Sequence, residues 1–134
     1  SANKLKSLDS LLFKNLSNLE KIDLSSNCLI EIDALIFKNL SKLKYLDLSE
    51  NSLANIDSNA FKYLTKLKKL NMHNNSLIKL DPLIFRSLTS LEELDLGSNK
   101  ITLLEPNLFS YLKRLKYLSL KDNRLKPFEA ACLK

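Results

Sequence analysis

The sequence has no tryptophan and no valine, and its 134 residues include only one glycine, one histidine and two cysteines. A single glycine excludes the glycine-rich loops that cradle phosphate groups. One histidine and two cysteines cannot supply a zinc site of the usual ligand spacing, so we expect no metal and no cofactor. No apolar run approaches the roughly 20 residues that a membrane-spanning helix needs, so we expect no membrane span in this sequence.

Leucine, in contrast, fills 33 of the 134 positions, and hydrophobic residues make up 45% of the chain. This composition is typical of a folded chain, and the length fits a single domain. The formal net charge of +6 is smaller than is usual for a dedicated nucleic-acid binder. We therefore expect no nucleic-acid partner.

A repeat of 24 residues runs through the whole chain without an insertion or a deletion. An asparagine and a phenylalanine recur in every repeat, with leucine or isoleucine at fixed positions between them. The recurring asparagines are Asn27, Asn51, Asn75, Asn99 and Asn123. The recurring phenylalanines are Phe13, Phe37, Phe61, Phe85 and Phe109. Such a period predicts a solenoid in which each unit buries its apolar face against the next.

The physical role of each repeating position follows from this stacking. A Leu-x-Leu alternation predicts a short strand with two inward side chains, and stacked strands would pair as a parallel sheet. We expect the asparagine to satisfy buried backbone groups where the chain turns inward, and the phenylalanine to fill the wider outer arc. The sheet should therefore lie on the inner side of a curve.

The segment from Leu43 to Leu53 reads LKYLDLSENSL, which resembles the leucine-rich repeat core L-x-x-L-x-L-x-x-N-x-L. The full unit resembles the typical 24-residue subclass, common in animal extracellular proteins such as Toll-like receptors and Slit. The resemblance implies a curved right-handed coil with short parallel strands on its concave face and mostly irregular or 3-10 segments on its convex face. We expect one domain over residues 1–134, with about five repeats, partial repeats at both ends and no visible cysteine caps.

For function, the resemblance implies a non-catalytic protein-recognition module, part of an extracellular or cell-surface receptor or secreted protein. The outward strand positions would form the ligand-binding surface, because they vary between repeats while the inward positions do not. The first surface row is Lys21, Tyr45, Lys69, Glu93 and Tyr117. The second is Asp23, Asp47, Asn71, Asp95 and Ser119, and the third is Ser25, Ser49, His73, Gly97 and Lys121. We expect ligand contacts from Tyr45, Lys69, His73, Glu93, Tyr117 and Lys121.

The more uniform second row is interpreted as repeat chemistry, with hydrogen bonds across strands, rather than as a calcium site. His73 is the only candidate imidazole base, and no oxyanion-binding loop accompanies it, so we predict no enzyme activity.

Two charged columns are expected on the convex side. One is acidic: Asp9, Asp33, Asp57, Asp81, Glu105 and Glu129. The other is basic: Lys14, Lys38, Lys62 and Arg86, joined by Lys42, Lys66 and Arg114. Weak ion pairing between the columns is the simplest interpretation. The alternative is a matrix or adhesion protein that binds a sulfated glycan through the basic column.

Three acceptor sequons for N-glycosylation, at Asn15, Asn39 and Asn74, favour an extracellular location. Cys28 and Cys132 lie more than four repeats apart, which excludes a disulfide between them in a solenoid. The lack of cysteine caps leaves a cytoplasmic scaffold as the alternative location and function. Uncovered apolar side chains at both ends also predict self-association of the chain through an end.

Overall fold

The computed structural model describes residues 3–126 as a stack of short parallel strands joined by turns, with no α-helix in that range. No helix within these residues is long and apolar enough to cross a membrane. The strands are β1 (Lys21–Asp23), β2 (Glu31–Ile32), β3 (Tyr45–Asp47), β4 (Asn55–Ile56), β5 (Lys69–Asn71), β6 (Glu93–Asp95) and β7 (Tyr117–Ser119).

The main sheet has five parallel strands in the order β1-β3-β5-β6-β7. Neighbouring strands pair with a register of one repeat, so that Leu46 is opposite Ile22 on one side and Leu70 on the other. The same register continues through Leu94 to Leu118. The predicted leucine-rich repeat solenoid is therefore confirmed.

A second, two-stranded parallel sheet pairs β2 with β4. It follows the recurring asparagine and lies outside the main sheet, where the sequence analysis predicts no strand. Each of its strands has only two residues, and only the inward partners Ile32 and Ile56 belong to an apolar column. Two residues are too few to show a period of two, so the sequence carries no signal for this sheet.

The core is a continuous column of side chains between the main sheet and the convex turns. Each central strand residue points inward, and Leu46, Leu70 and Leu94 are at most 1% exposed. The phenylalanines close the opposite side, where Phe37, Phe61 and Phe85 are completely buried. Each repeat therefore buries its apolar residues against the repeats beside it, as a solenoid requires.

The recurring asparagine connects each repeat to the one before it. The Asn75 side-chain amide donates to Met72 O at 3.1 Å in its own turn and to Leu48 O at 3.0 Å in the preceding repeat. Its carbonyl oxygen accepts from Leu53 N at 3.0 Å. The same donor and acceptor pattern recurs at Asn51, Asn99 and Asn123.

The residue before each of these asparagines adopts a left-handed backbone conformation, which is uncommon for residues other than glycine. Its φ is 55° at Glu50 and 58° at Asn74. Ser26, Ser98 and Asp122 occupy the same position with φ between 53° and 59°. Five repeats accept this strained residue, which indicates that the hydrogen bonds of the following asparagine stabilise the turn enough to hold it.

The spacing of the phenylalanines explains the curvature. Ring centroids of Phe13, Phe37 and Phe61 are 6.3 Å apart from one to the next, and those of Phe85 and Phe109 are 6.1 Å apart. Paired strands are only about 4.8 Å apart. The repeats are thus wider on the phenylalanine side, and the main sheet lies on the concave side.

The convex segments consist of consecutive hydrogen-bonded turns. Lys14 N bonds Leu11 O at 3.0 Å, and Leu16 N bonds Phe13 O at 3.0 Å. At the first repeat, Leu5, Leu12 and Leu16 are between 44% and 48% exposed. Cys28 is half-buried, whereas Cys132 and Glu129 lie outside the described residues.

Replacing Asn75 by alanine should lower the free energy of unfolding by about 1–3 kcal/mol, because buried backbone groups lose their partner. Chemical denaturation measures the change. Asn107→Ala, at an exposed turn position, is the matched control and should change stability little. A fully tolerated Asn75→Ala would contradict a structural role for these hydrogen bonds.

Replacing Phe61 by alanine should cost about 3–5 kcal/mol, because the ring is buried between neighbouring repeats and its loss opens a cavity. Phe13 is only partly buried, so Phe13→Ala should cost clearly less. Equal losses for the two variants in the same denaturation experiment would show that burial of the ring does not set the effect.

Candidate ligand-binding face

The first surface row crosses the main sheet in a single line. Strand pairing places Tyr45 between Lys21 and Lys69, and Glu93 between Lys69 and Tyr117. Tyr45 is 43% exposed and Tyr117 is 53% exposed. The two tyrosines thus present large, partly apolar surfaces on the concave side, separated by the ion pair between Lys69 and Glu93 at 3.1 Å.

Two shallow depressions lie on this face. The larger, of about 410 Å³, lies over β1, β3 and β5, and its rim includes Lys21, Tyr45 and Lys69. The smaller, of about 150 Å³, lies over β5, β6 and β7 beside Glu93 and Tyr117. The face therefore has an aromatic ring and charged groups at each of two open depressions.

The second surface row bonds within its own turns rather than across strands, which corrects the cross-strand expectation. Asp23 Oδ1 accepts from Ser25 N at 2.9 Å and from the Ser25 hydroxyl at 2.6 Å. Asp47 accepts in the same way from Ser49, at 2.9 and 2.6 Å. The hydrogen bonds from the hydroxyl and then the amide of Ser25 hold the pKa of Asp23 below its ordinary value of 3.8.

The carboxylates of Asp23 and Asp47 close the turns after their strands. Each turn is closed by a hydrogen bond from the backbone amide two residues later to the side-chain oxygen. The asparagine of the row, Asn71, accepts from His73 N at 3.0 Å in the same manner. No group of three or more His, Cys, Asp or Glu residues within residues 3–126 could hold a metal ion.

Asp95 is the exception in this row, because the residue two positions later is Gly97. Gly97 donates its amide at 2.8 Å but has no hydroxyl to offer. His73, from the neighbouring repeat, occupies this space, with Nδ1 3.5 Å from Asp95 Oδ1. A Cβ on Gly97 would lie 3.0 Å from both of these atoms, so the glycine is what makes room for the contact.

Other members of the third surface row differ in accessibility. Ser49 is only 7% exposed, so its position between strands β1 and β5 leaves little for a ligand to contact. Lys121 follows β7 and is exposed at the end of the described sheet. The side chains of His73 and Lys121 thus lie on either side of the buried Gly97 and leave a gap over it, which we call the notch. The sequence alone did not reveal this gap.

The three sequon asparagines, Asn15, Asn39 and Asn74, are all exposed. Asn39 and Asn74 also have positive φ, at 70° and 58°. Asn15 and Asn39 lie on the convex turns, directly after Lys14 and Lys38. Glycosylation of these sites stays a prediction.

The chain belongs to the leucine-rich repeat family. A family model described as leucine rich repeat matches residues 30–77 and 65–125, and a second model of the same description matches residues 18–40. Proteins of this family are typically non-catalytic interaction modules. No curated protein sequence matches the chain.

Among solved structures, the chain is similar to a chain of the Drosophila Toll–Spatzle complex, described as a molecular hub in development and innate immunity. The TM-score is 0.73 with 26% sequence identity over 92% of this chain. The match spans about a fifth of that other chain's length, 21%. The resemblance to Toll-like extracellular leucine-rich repeat proteins is therefore confirmed for the repeat architecture.

Replacing Gly97 by serine should detach His73 from Asp95. The new hydroxyl would bond Asp95 as Ser25 and Ser49 bond their own aspartates, and its Cβ would crowd the imidazole. A crystal structure of the variant measures the distance between Nδ1 and Oδ1, which should lengthen well beyond hydrogen-bond range. Stability should change by no more than about 0.5 kcal/mol, because the half-exposed imidazole can move into solvent. An unchanged contact would contradict the role assigned to the glycine.

Proposed function

We propose that this chain is the protein-recognition part of an extracellular or cell-surface receptor, or of a secreted protein, and that its ligand binds the concave face. The observation that carries this proposal is the first surface row, where two exposed tyrosines stand beside open depressions on a rigid sheet. Tyrosine is enriched among the residues that dominate binding energy.

The rigidity of the sheet supports binding without a large entropic cost. The central strand residues Leu46, Leu70 and Leu94 are buried, and Leu118 beside Tyr117 is partly buried. The strands β3, β5 and β6 are held in register on both sides by parallel partners, and β7 is held on one side by β6. A surface fixed in this way loses little conformational freedom when a ligand binds. The ligand contacts are assigned to Tyr45, Lys69, Glu93 and Tyr117, with His73 and Lys121 at the notch over Gly97.

A protein ligand fits this surface better than an enzymatic substrate. No serine, threonine or cysteine side chain within residues 3–126 hydrogen-bonds the His73 imidazole, whose Nδ1 lies 3.5 Å from Asp95 Oδ1. The nearby Ser49 hydroxyl donates to Asp47 instead, so the two do not form a nucleophile with a base. We therefore assign the chain a non-catalytic role, as one continuous domain of about five repeats.

The Toll–Spatzle neighbour and the exposed sequons favour an extracellular location over the cytoplasmic scaffold alternative. Glycan attachment at Asn15 or Asn39 after expression in a secreting cell line, detected by mass spectrometry, would support this location.

The double replacement Tyr45→Ala and Tyr117→Ala should weaken ligand binding by at least about tenfold, since aromatic anchors contribute about 2 kcal/mol or more when truncated. Thermal stability should stay nearly unchanged, because both side chains are about half exposed. Spatzle is a suitable first probe, followed by a displayed set of secreted proteins, with affinity measured by surface plasmon resonance for every protein that binds the unmodified chain.

The matched control carries two replacements on the convex turns, Lys38→Ser and Lys62→Ser. These should leave protein-ligand affinity within about twofold, a change equivalent to less than 0.5 kcal/mol. Loss of affinity in the convex variant with none in the tyrosine variant would refute binding at the concave face.

A further inference from the structure

The two faces of the solenoid differ in how their charged side chains are engaged. The ion pairs of lysine with glutamate within residues 3–126 are Lys44–Glu20 at 3.3 Å, Lys69–Glu93 at 3.1 Å and Lys116–Glu92 at 3.4 Å. The His73 imidazole also lies 3.5 Å from the Asp95 carboxylate. The six lysine and glutamate residues lie in the main sheet or directly before one of its strands, and His73 lies two residues after β5. Lys44, Lys69 and Lys116 are thus balanced by acidic neighbours from adjacent repeats, whereas Lys21 and Lys121 have no ion pair within residues 3–126.

The acidic side chains of the convex side are engaged differently. Asp9, Asp33, Asp57 and Asp81 each accept a hydrogen bond, at 2.8 Å, from the backbone amide two residues later. Each carboxylate therefore closes the first turn of a convex segment. None of the four is within 4.0 Å of a basic group in the described part of the chain, so the expected pairing between the two charged columns is absent there.

The basic side chains of the convex side consequently keep their charge unbalanced by ion pairs among residues 3–126. Five exposed lysines form a stripe that we call the convex basic stripe: Lys14, Lys38, Lys42, Lys62 and Lys66. Lys42 Nζ bonds only the neutral Asn18 side chain, at 3.0 Å. Lys62 Nζ stands 5.2 Å from the centre of its neighbour's ring, that of Tyr63, which leaves its charge intact.

The stripe has a regular spacing that comes from the core. Lys14, Lys38 and Lys62 directly follow Phe13, Phe37 and Phe61, whose ring centroids are 6.3 Å apart. The backbone of the stripe thus advances by about the same distance per repeat.

Arg86 would be the next member, but its guanidinium is tied to the preceding repeat. It donates to Ser58 O and to Leu83 O, each at 2.9 Å, and to the Asn59 side chain. The uninterrupted run of free cations is therefore that of the lysines in the first three convex turns. Arg114 of the same column is exposed as well, but it lies two repeats beyond Lys66.

We propose that the convex basic stripe is a second binding site, separate from the concave face, for an extended polyanion of the sulfated polysaccharide class. A row of exposed cations binds such a chain by concentrating and then releasing its counterions. The convex arc suits a linear polymer, which can follow the turns from one repeat to the next.

Two other polyanionic surfaces fit the stripe less well. Single-stranded nucleic acid binds where aromatic rings are free for base stacking, and the ring nearest the stripe, Tyr63, is half-buried with Lys62 over it. A flat membrane would touch a convex arc at only a few turns. The exposed leucines beside the stripe, Leu11 and Leu35, are also interrupted by Asn59 at the third turn.

The test compares two triple variants of the unglycosylated protein, because glycans on Asn15 or Asn39 would crowd the stripe. The stripe variant carries Lys38→Ser, Lys62→Ser and Lys66→Ser. The control variant carries Lys79→Ser, Lys100→Ser and Lys126→Ser, which are exposed lysines outside the stripe. Both variants lower the formal charge of +6 by three, so that only the location of the lost charge differs.

Heparin is the probe, with affinity measured between 50 and 200 mM salt. The stripe variant should lose at least about tenfold in affinity at the higher salt, and its slope against the logarithm of salt concentration should fall by about two to three. The control variant should lose less than about twofold at the same salt. A variant with arginine at the three stripe positions should retain binding, since the charge is kept.

Equal losses in the stripe and control variants would overturn the proposal, because they would show an effect of net charge alone. Undiminished binding of fully desulfated heparin would overturn it too, as would tighter binding of single-stranded DNA or of vesicles rich in phosphatidylserine than of heparin. The Tyr45→Ala, Tyr117→Ala variant should bind heparin normally, so failure at the stripe and failure at the concave face are distinguishable. Circular dichroism and melting temperature establish that each variant is folded.

Discussion

The architecture depends on the hydrogen bonds of one buried amide in each repeat. The Asn75 side chain bonds the backbone of its own turn and that of the preceding repeat, where water cannot reach. Strand pairing connects repeats along the concave side, and this amide connects them again where the strand ends. Because each amide holds two neighbouring repeats together, the turn can keep a strained left-handed residue before it without losing register.

The phenylalanines convert the same stacking into a curved surface. Their rings space the convex turns more widely than the strands, so every side chain of the first surface row faces the inside of an arc. Tyr45 is presented from this arc beside the buried Leu46, and Tyr117 beside the partly buried Leu118. The recognition role proposed for the chain is thus a consequence of packing: a firm core leaves the outward positions free to vary.

The charges are distributed according to what the backbone requires. On the convex side the aspartates cap turns, and the nearby lysines remain available to a polyanion. On the concave side, the serines after the strands donate hydroxyl hydrogen bonds to Asp23 and Asp47. Gly97 has no hydroxyl, and Asp95 is contacted by the His73 imidazole instead. One missing hydroxyl therefore lets a histidine of the neighbouring repeat approach Asp95, and this repeat differs from those of Asp23 and Asp47.

The sequence by itself determined the period, the parallel register and the division into inward and outward positions. Five copies of one pattern leave a single way to bury Leu46, Leu70 and their equivalents, since a shift of one residue would expose them all. The sequence also placed the tyrosines of the first row on the solvent-facing side of the sheet. These conclusions need only spacing and hydrophobicity, which a sequence states directly.

Only the tertiary structure decided which polar groups meet. Rotamers and turn geometry decide the hydrogen bonds of the second surface row and the absence of ion pairs on the convex turns within residues 3–126. They also decide the short sheet of β2 and β4. Several donors could reach each aspartate according to the sequence, and backbone amides held close by the turns outcompete the lysines. Likewise the space that Gly97 leaves for His73 exists because residues 24 positions apart are neighbours in the stacked sheet.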